Sequence, residues 1–436
     1  MRIVVRSREA KDARAAQERL AAAGVDAVAL PGPPSPGREA PTGEDVLIIE
    51  AMSCGLDAAQ PFAEAARARR PLAVLAGLHH DEPPPAGLHL AGAFDGAVAL
   101  NAPPALLSMQ IEAALRAGIA KEELVRRLAT AAGFGAAAPK PPEARKLKAL
   151  YIGPPTPLFL SLERALAAYG GLVAAAFSSY SGFDHLHDDV FDAVVINGAS
   201  DPMTALSLCA ALRRNASLHH LPTLMIINPG DHARAEAAIQ RGASAVVEVN
   251  APSGPALGWL FEAIRRERRR RAAEHDLRAL RDIMGDARTG LFNTEPFEVH
   301  LARLAEDHHA NGRPFSLAAL RVLPAHGLRE PPEAVWKRGF TEIANLSARL
   351  IRDADCGSVF GKDLIIVAMP ATELIGARRL AERVASVAEC TAFAAGEQDV
   401  GPLVFEQSAA ELQPGESGAA LLARALRIFE LESATA

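Results

Sequence analysis

The chain has 436 residues, of which 49% are hydrophobic and 22% are charged. This length and composition suit two or three domains with proper cores and exclude a largely disordered protein. The formal net charge of −6 excludes the overall basic field that a general nucleic-acid-binding protein needs.

The sequence shows no clear signal peptide, membrane span or paired cysteines. The first residues lack the features of a signal peptide, and no apolar run approaches the roughly 18 residues that a membrane span needs. The four cysteines are far apart and form no CxxC pair. This spacing predicts neither a disulfide framework nor a zinc site, and we expect a soluble cytoplasmic protein.

Short runs of valine, isoleucine and leucine alternate with longer stretches of helical period, a pattern typical of α/β folds with a parallel sheet. Strands are predicted at residues 3–5, 46–49, 72–76, 96–100, 149–152, 193–196, 223–227 and 245–249. Helices are predicted near residues 12–23, 104–116, 159–169 and 255–271. We therefore predict two successive five-stranded (βα)5 units, at 1–134 and 146–271, joined by a linker at 135–145 that is rich in glycine and proline.

An arginine-rich stretch ends the second unit, where six of the residues 265–271 are arginine. Such a run indicates either a nucleic-acid patch or the solvated face of a connecting helix, and we favour the helix. The helical period continues without a breaker to Gly285. This predicts a connecting helix over 272–285 and a third domain over 286–436.

Both (βα)5 units resemble the receiver domains of two-component signalling, but the residues for phosphate chemistry are replaced. A receiver needs an acidic pair for Mg²⁺ and an aspartate that accepts phosphate. The acceptor position is Glu50 in the first unit and Asn197 in the second, and Arg6 and Ser7 replace the first acidic pair. We expect neither unit to bind Mg²⁺ or accept phosphate. Glu50 is either a mimic of a phosphorylated aspartate or, as we favour, an unused carboxylate.

The third domain opens with a segment that resembles the start of a GGDEF domain. The matching residues are Asp286, Thr289, Gly290, Leu291 and Asn293. The resemblance extends over nearly all of residues 286–436. It implies a GGDEF-type α/β domain, whose active members join two GTP molecules with the help of Mg²⁺ bound by two carboxylates.

The signature of that family is degenerate here. Its positions are occupied by Gly361, Lys362, Asp363, Leu364 and Ile365, so one glycine and one carboxylate are lost. Because the carboxylate pair is incomplete, we expect no cyclase activity and no bound metal.

The other catalytic positions are replaced as well. Arg321 stands at the position of the metal-binding aspartate, Arg329 and Arg338 align with the guanine-contacting residues, and the phosphate-binding lysine falls near Ser433. With these changes, the resemblance implies a domain that is not an enzyme.

The product-inhibition motif of the family, by contrast, is preserved. Arg352 and Asp355 form its Arg-x-x-Asp pattern, five residues before Gly361. Arg383 matches the family's second contributor, and Arg379 lies one helical turn earlier. Guanidinium groups bind guanine O6 and N7 and phosphate oxygens, and a carboxylate accepts from guanine N1 and N2. These four residues are the predicted cyclic di-GMP site; the alternative is a surface ion pair.

Two degenerate receivers, a degenerate GGDEF domain and an intact Arg-x-x-Asp together resemble the PopA-type cyclic di-GMP effectors, which are related to PleD-type cyclases. The resemblance implies a homodimer formed by the receiver domains and ligand-dependent localisation at a cell pole. It also implies partnership with the adaptor RcdA in delivering CtrA to the protease ClpXP for cell-cycle control. We further hypothesise that Arg213 or Arg214 completes the ligand site.

Three alternatives remain beside the effector. The first alternative is a nucleotide-independent protein scaffold, the second is a weak residual diguanylate cyclase that uses Asp363, and the third is a DNA-binding response regulator. The last would need a helix-turn-helix region after the receivers, which the sequence does not show. We rank the effector first and the scaffold second.

Overall fold

The computed structural model describes residues 2–33, 44–67, 70–85, 87–88, 92–140, 145–324, 331–391 and 403–435, and side chains as far as residue 429. Three sheets follow one another along the chain. The fold class is therefore α/β, with two parallel five-stranded units followed by a third, mixed unit, which confirms the predicted class.

The first unit is a parallel sheet in the order β2-β1-β3-β4-β5, the arrangement of flavodoxin-like doubly wound folds. Its strands β1 and β3 are completely buried because both faces of the sheet are covered. Its elements are β1 Ile3–Ser7, α1 Ala10–Ala22, β2 Ala27–Pro31, β3 Val46–Glu50, α2 Leu56–Arg67, β4 Ala73–Leu78, β5 Gly96–Ala99 and α3 Pro104–Gly133. Across the described residues this unit has three helices, fewer than the five of a full (βα)5 unit.

The second unit repeats the same strand order, β7-β6-β8-β9-β10, again with parallel strands. Here a helix follows each strand, so the unit matches the predicted (βα)5 arrangement. Its elements are β6 Lys148–Ile152, α4 Pro157–Ala167, β7 Leu172–Ala176, α5 Ser179–Asp188, β8 Ala193–Asn197, α6 Pro202–Arg214, β9 Thr223–Ile227, α7 His232–Gln240, β10 Ala245–Glu248 and α8 Gly254–Met284.

The third unit is a six-stranded sheet in the order β11-β12-β14-β15-β13-β16, with mostly antiparallel pairs. One face of this sheet packs against α10 and α11, and the other packs against α9 and α12. Its elements are β11 Gly285–Asp286, β12 Leu291–Phe292, α9 Thr294–Asn311, β13 Phe315–Pro324, α10 Glu333–Leu350, β14 Cys356–Phe360, β15 Leu364–Pro370, α11 Leu374–Glu389, β16 Leu403–Glu411 and α12 Gly418–Thr435.

Two long helices, α3 and α8, join the units. Helix α3 begins on the first sheet, where Leu107 and Ile111 are buried, and ends with Ala131 in the core of the third unit. Helix α8 buries Trp259 against the first unit and Met284 in the third. The predicted boundary at 134 did not anticipate that α3 reaches the third unit. The helical period predicted to continue to Gly285 is confirmed, but the boundary at 271 divides the single helix α8.

The arginine-rich stretch lies in helix α8, which confirms the helix that we favoured, but it is not a solvated face, so that part of the interpretation was wrong. Arg266 is 6% exposed and donates to the carbonyls of Gln110 and Ala97 at 2.9 and 2.7 Å. Arg268 pairs with Asp192 at 3.0 Å. The run packs between the first two units because its guanidinium groups neutralise carboxylates and bind backbone carbonyls there.

Among the described residues, no helix combines the length and the apolar character required to cross a lipid bilayer.

Candidate ligand site at the 352–355 turn

The 352–355 turn connects α10 to β14 and contains the Arg-x-x-Asp motif. The amide of Asp355 donates to the carbonyl of Arg352 at 2.9 Å, and the Asp355 carboxylate accepts from the Arg352 amide at 3.0 Å. The first and last residues of the motif therefore bind each other through backbone and side chain. This reciprocal pair fixes the backbone from which the Arg352 side chain projects.

The Asp355 side chain faces inward. The residue is 4% exposed, and burial raises its pKa to about 6, although Arg352 and Arg127 act in the opposite direction. In this conformation the carboxylate holds the turn. A direct contact with a guanine, as the motif predicts, would require the carboxylate to become accessible.

Arginine side chains gather on the outer side of the same turn. Arg352 is exposed, and so is Arg383 on α11, whose Nη2 donates to the carbonyl of Leu350 at 2.8 Å. Leu350 is the last residue of α10, so Arg383 binds a carbonyl that the helix leaves unpaired. Arg379 is exposed one turn earlier on the same side of α11. Arg383 therefore contacts Leu350, the residue two positions before Arg352 in the sequence.

The opposite side of the turn is held by a residue that the motif did not indicate. Arg127 of α3 is 1% exposed and donates from Nη2 to the carbonyl of Asp355 at 2.7 Å. Nothing in the sequence links the two, because 228 residues separate them. The signal that the sequence offers is the i,i+4 spacing of Glu123 and Arg127 on α3, but two further charge pairs of that helix have the same spacing, so it does not single out Arg127.

The degenerate signature forms the hairpin turn between β14 and β15. Gly361 has φ +61°, in the left-handed region that favours glycine. The Lys362 carbonyl accepts from Trp336 Nε1 at 2.8 Å, and the Asp363 carbonyl accepts from the Val322 amide at 2.8 Å. The remaining glycine therefore serves the geometry of the turn.

We expect Gly361→Ala to lower the free energy of unfolding by about 1 kcal/mol, because an alanine is strained at this positive φ. Urea unfolding would measure it. Gly254→Ala is the matched control, since Gly254 has open space and an ordinary φ at the start of α8. An equal effect of the two changes would contradict a role for the turn geometry.

A cleft of about 720 Å³ lies beside this hairpin. Asp363 and Asp286 line it, but Asp286 is paired with Arg288 at 3.0 Å. Within the described ranges, no three acidic, histidine or cysteine side chains come together as a metal site would require.

Arg321, which was predicted to stand at the position of the metal-binding aspartate, does not line this cleft. Arg321 pairs with Glu406 at 2.7 Å and donates to the carbonyl of Phe429 at 3.0 Å. Arg338 is exposed on α10. Arg329 and the side chain of Ser433 lie outside the described residues.

The two residues predicted to stand at the phosphate-acceptor position of a receiver are buried and hydrogen-bonded internally. Glu50 is 2% exposed and accepts from the Ser53 amide at 2.9 Å and the Ser7 hydroxyl at 3.0 Å. Asn197 donates to the Pro154 carbonyl at 2.7 Å and accepts from the Ala199 amide at 3.1 Å. For Glu50, this favours an internal carboxylate over an exposed mimic of phosphate.

The proposed receiver arginines differ in their freedom to bind a ligand. Arg213 donates to the carbonyls of Gly242, His219 and Leu221 and to the Thr223 hydroxyl, so its guanidinium is committed to the second unit. Arg214 is exposed. Of the two, Arg214 is the better candidate.

Comparison with known proteins gives limited similarity. No family model matches the chain. The chain is 25% identical over 195 residues to the response regulator PleD of Caulobacter vibrioides, which covers 44% of this chain and 43% of that protein. The aligned part thus spans less than half the length of the curated relative.

Solved structures resemble separate parts of the chain. A putative response regulator from Chloroflexus aurantiacus is 18% identical, covering 28% of this chain and 98% of the other at a TM-score of 0.26. The GGDEF domain of DgcB from Caulobacter crescentus, solved with c-di-GMP, is 18% identical, covering 33% and 85% at a TM-score of 0.27. The α/β fold class of this chain follows from the strand orders of its three sheets and not from these similarities.

Proposed function

We propose that this protein is a signalling protein that binds cyclic di-GMP at the 352–355 turn and does not synthesise it. The observation that carries the proposal is the arrangement of Arg352 and Arg383 at the end of α10, beside a turn closed by Asp355. The similarity to the response regulator PleD over part of the chain supports a signalling role.

The chemistry of the turn suits an anionic ligand with two guanines. Exposed guanidinium groups pair with phosphates and bind or stack on guanine bases. The end of α10 carries a partial negative charge that favours arginines there before a ligand arrives. We assign the direct contacts to Arg352 and Arg383, with Arg379 at the edge of the site. Asp355 keeps the turn closed and supplies the neighbouring negative charge.

We also propose that the protein does not synthesise cyclic di-GMP, because the cleft beside the hairpin lacks, among the described residues, the carboxylates that this reaction needs. Two Mg²⁺-binding carboxylates are needed to join nucleotides, yet Arg321 stands at the predicted position of the metal-binding aspartate and Leu364 replaces one acid of the signature. Asp286 also lines the cleft, but it is paired with Arg288. We expect no cyclic di-GMP from GTP with Mg²⁺ or Mn²⁺. If the wild-type protein forms cyclic di-GMP and Asp363→Asn does not, the residual cyclase is established instead.

The downstream role follows the resemblance to PopA-type effectors. We propose that the ligand-bound form, as a homodimer, gathers at a cell pole and works with RcdA to present CtrA to ClpXP. Co-purification of RcdA with the wild-type protein but not with Arg352→Ala, at saturating ligand for the wild type, would support this role. Equal capture by both would argue for the nucleotide-independent scaffold.

Calorimetric titration of cyclic di-GMP tests the binding proposal. We expect the wild-type protein to bind and Arg352→Ala to bind at least about tenfold more weakly, since one charge-assisted contact is lost. Arg427→Ala is the matched control, because it removes an exposed arginine from helix α12 of the same unit, which is not part of the proposed site.

The outcomes separate the hypotheses. Weaker binding of cyclic di-GMP by Arg352→Ala alone supports the site at the turn. Equal loss in both variants would place the ligand elsewhere on the third unit. Absence of binding to the wild type would overturn the proposal and leave the scaffold.

A further inference from the structure

Arg127 is buried where three elements meet. Its Nη2 donates to the Asp355 carbonyl at 2.7 Å, its Nη1 donates to the Leu277 carbonyl of α8 at 3.4 Å, and its guanidinium lies 5.2 Å from the centre of the Phe292 ring. A guanidinium taken out of water is costly unless its donors are satisfied. Here one of those donors, Nη2, binds the carbonyl of Asp355, the last residue of the 352–355 turn.

A buried carboxylate orients this arginine. Glu123, one helical turn earlier on α3, is fully buried and accepts from Arg127 Nε at 2.9 Å and contacts His300 Nε2 at 2.8 Å. Burial alone would raise the pKa of Glu123, but its contacts with His300 and Arg127 lower it to about 2. Glu123 therefore remains charged and holds the Arg127 fork in one orientation.

The helix that carries both residues belongs to the first unit. Leu107 and Ile111 of α3 are part of the core on one face of the first sheet. The far end of α3 packs into the core of the third unit through Ala131. A change in how the first unit holds α3 would therefore be transmitted to the Asp355 carbonyl.

We infer that Arg127 is a positioning residue for the 352–355 turn, through which the first unit sets the affinity of the third unit for cyclic di-GMP. This inference rests on the proposed function. Arg127 fixes the carbonyl of Asp355 from inside, while the amide and carboxylate of Asp355 fix Arg352. The Arg352 side chain is thereby held in place before the ligand binds, which lowers the cost of ordering it.

The test compares two buried arginines of the same kind. Arg127→Lys retains the charge but loses the fork that reaches Glu123 and the Asp355 carbonyl together. Arg266→Lys is the matched control: Arg266 also binds backbone carbonyls from a long helix and pairs with a glutamate one turn away, but it does so on the first unit.

Two readouts are measured on the full chain where both variants are folded. In calorimetry, we expect Arg127→Lys to weaken cyclic di-GMP binding about tenfold and Arg266→Lys to change it less than about twofold. In hydrogen exchange without ligand, the amides of residues 352–356 should exchange faster in Arg127→Lys only. A merely structural role for Arg127 would not single out this turn.

Coupling between sites is reciprocal, which adds a third measurement. Saturating cyclic di-GMP should slow exchange of the α3 amides at residues 123–130 in the wild type, and this protection should disappear in Arg127→Lys. If Arg127→Lys does not fold, Glu123→Gln is the milder variant, and we expect about threefold weaker binding from it.

Failure of this inference is distinguishable from failure of the proposed function. If the wild type binds, Arg352→Ala does not, and Arg127→Lys matches Arg266→Lys in affinity and exchange, then the positioning role is wrong while the site stands. If the wild type does not bind cyclic di-GMP, the proposed function is wrong and the inference with it.

Discussion

Arg313→Met should lower the free energy of unfolding by about 3–5 kcal/mol, because it removes one partner of a buried charge cluster and leaves the others. Arg313 is 4% exposed and pairs with Asp45 at 2.9 Å and Glu122 at 2.5 Å. It also donates to the carbonyl of Arg70 at 2.6 Å. The methionine would fill similar space but leave the Asp45 carboxylate, which is buried, without its arginine.

Urea unfolding measures this loss, and Arg424→Met is its control. Arg424 pairs with Glu416 at 2.8 Å, but its side chain is 30% exposed. A solvated pair of this kind contributes at most about 1 kcal/mol. If Arg313→Met costs no more than Arg424→Met, the cluster between the first and third units does not stabilise the fold.

Asp355→Asn should remove a pH-dependent part of the stability. Since burial raises the folded-state pKa of Asp355 from 3.8 to about 6, the folded protein binds this proton more tightly than the unfolded chain. The contribution is therefore fully present below the unfolded pKa and is lost as the pH rises through about 6. The full difference corresponds to about 3 kcal/mol, of which roughly half falls between pH 7.5 and pH 5.

The free energy of unfolding of the wild type and of Asp355→Asn is measured at pH 7.5 and at pH 5. The wild type should gain stability relative to Asp355→Asn as the pH falls. The buried His308 and the partly buried His220, whose pKa values are lowered by desolvation to about 3 and about 4, act in the opposite direction. They are present in both proteins and cancel in the difference. A difference that does not depend on pH would mean that Asp355 titrates as an ordinary carboxylate.

Part of the fold was predictable from the sequence because the central strands are continuous apolar runs. The edge strands β2 and β7 were missed, since they are rich in alanine and partly exposed, and therefore lack both the composition and the burial pattern of a core strand. Helix α3 was predicted to end near residue 116. It continues past Gly118, where a Cβ would lie 2.5 Å from the Leu72 carbonyl, so this glycine serves close packing and does not end the helix.

The site was predictable only as far as a motif extends. Spacing located Arg352 and Asp355, and the structure then placed Arg383 beside them through the Leu350 carbonyl. The inward direction of Asp355 depends on what packs beneath it, which local sequence does not reveal. Arg127 comes from another unit, and a contact across 228 residues is set by tertiary packing alone.

The continuity of α3 from the first sheet into the third core also bears on how such proteins can be recombined. A chimaera that joins residues 286–436 to a different pair of input domains would lack Ala131 in its core and Arg127 beneath its turn. The three units are therefore not freely exchangeable modules. A functional graft of the third unit would have to carry residues 120–133 with it, or supply a helix bearing the same glutamate and arginine.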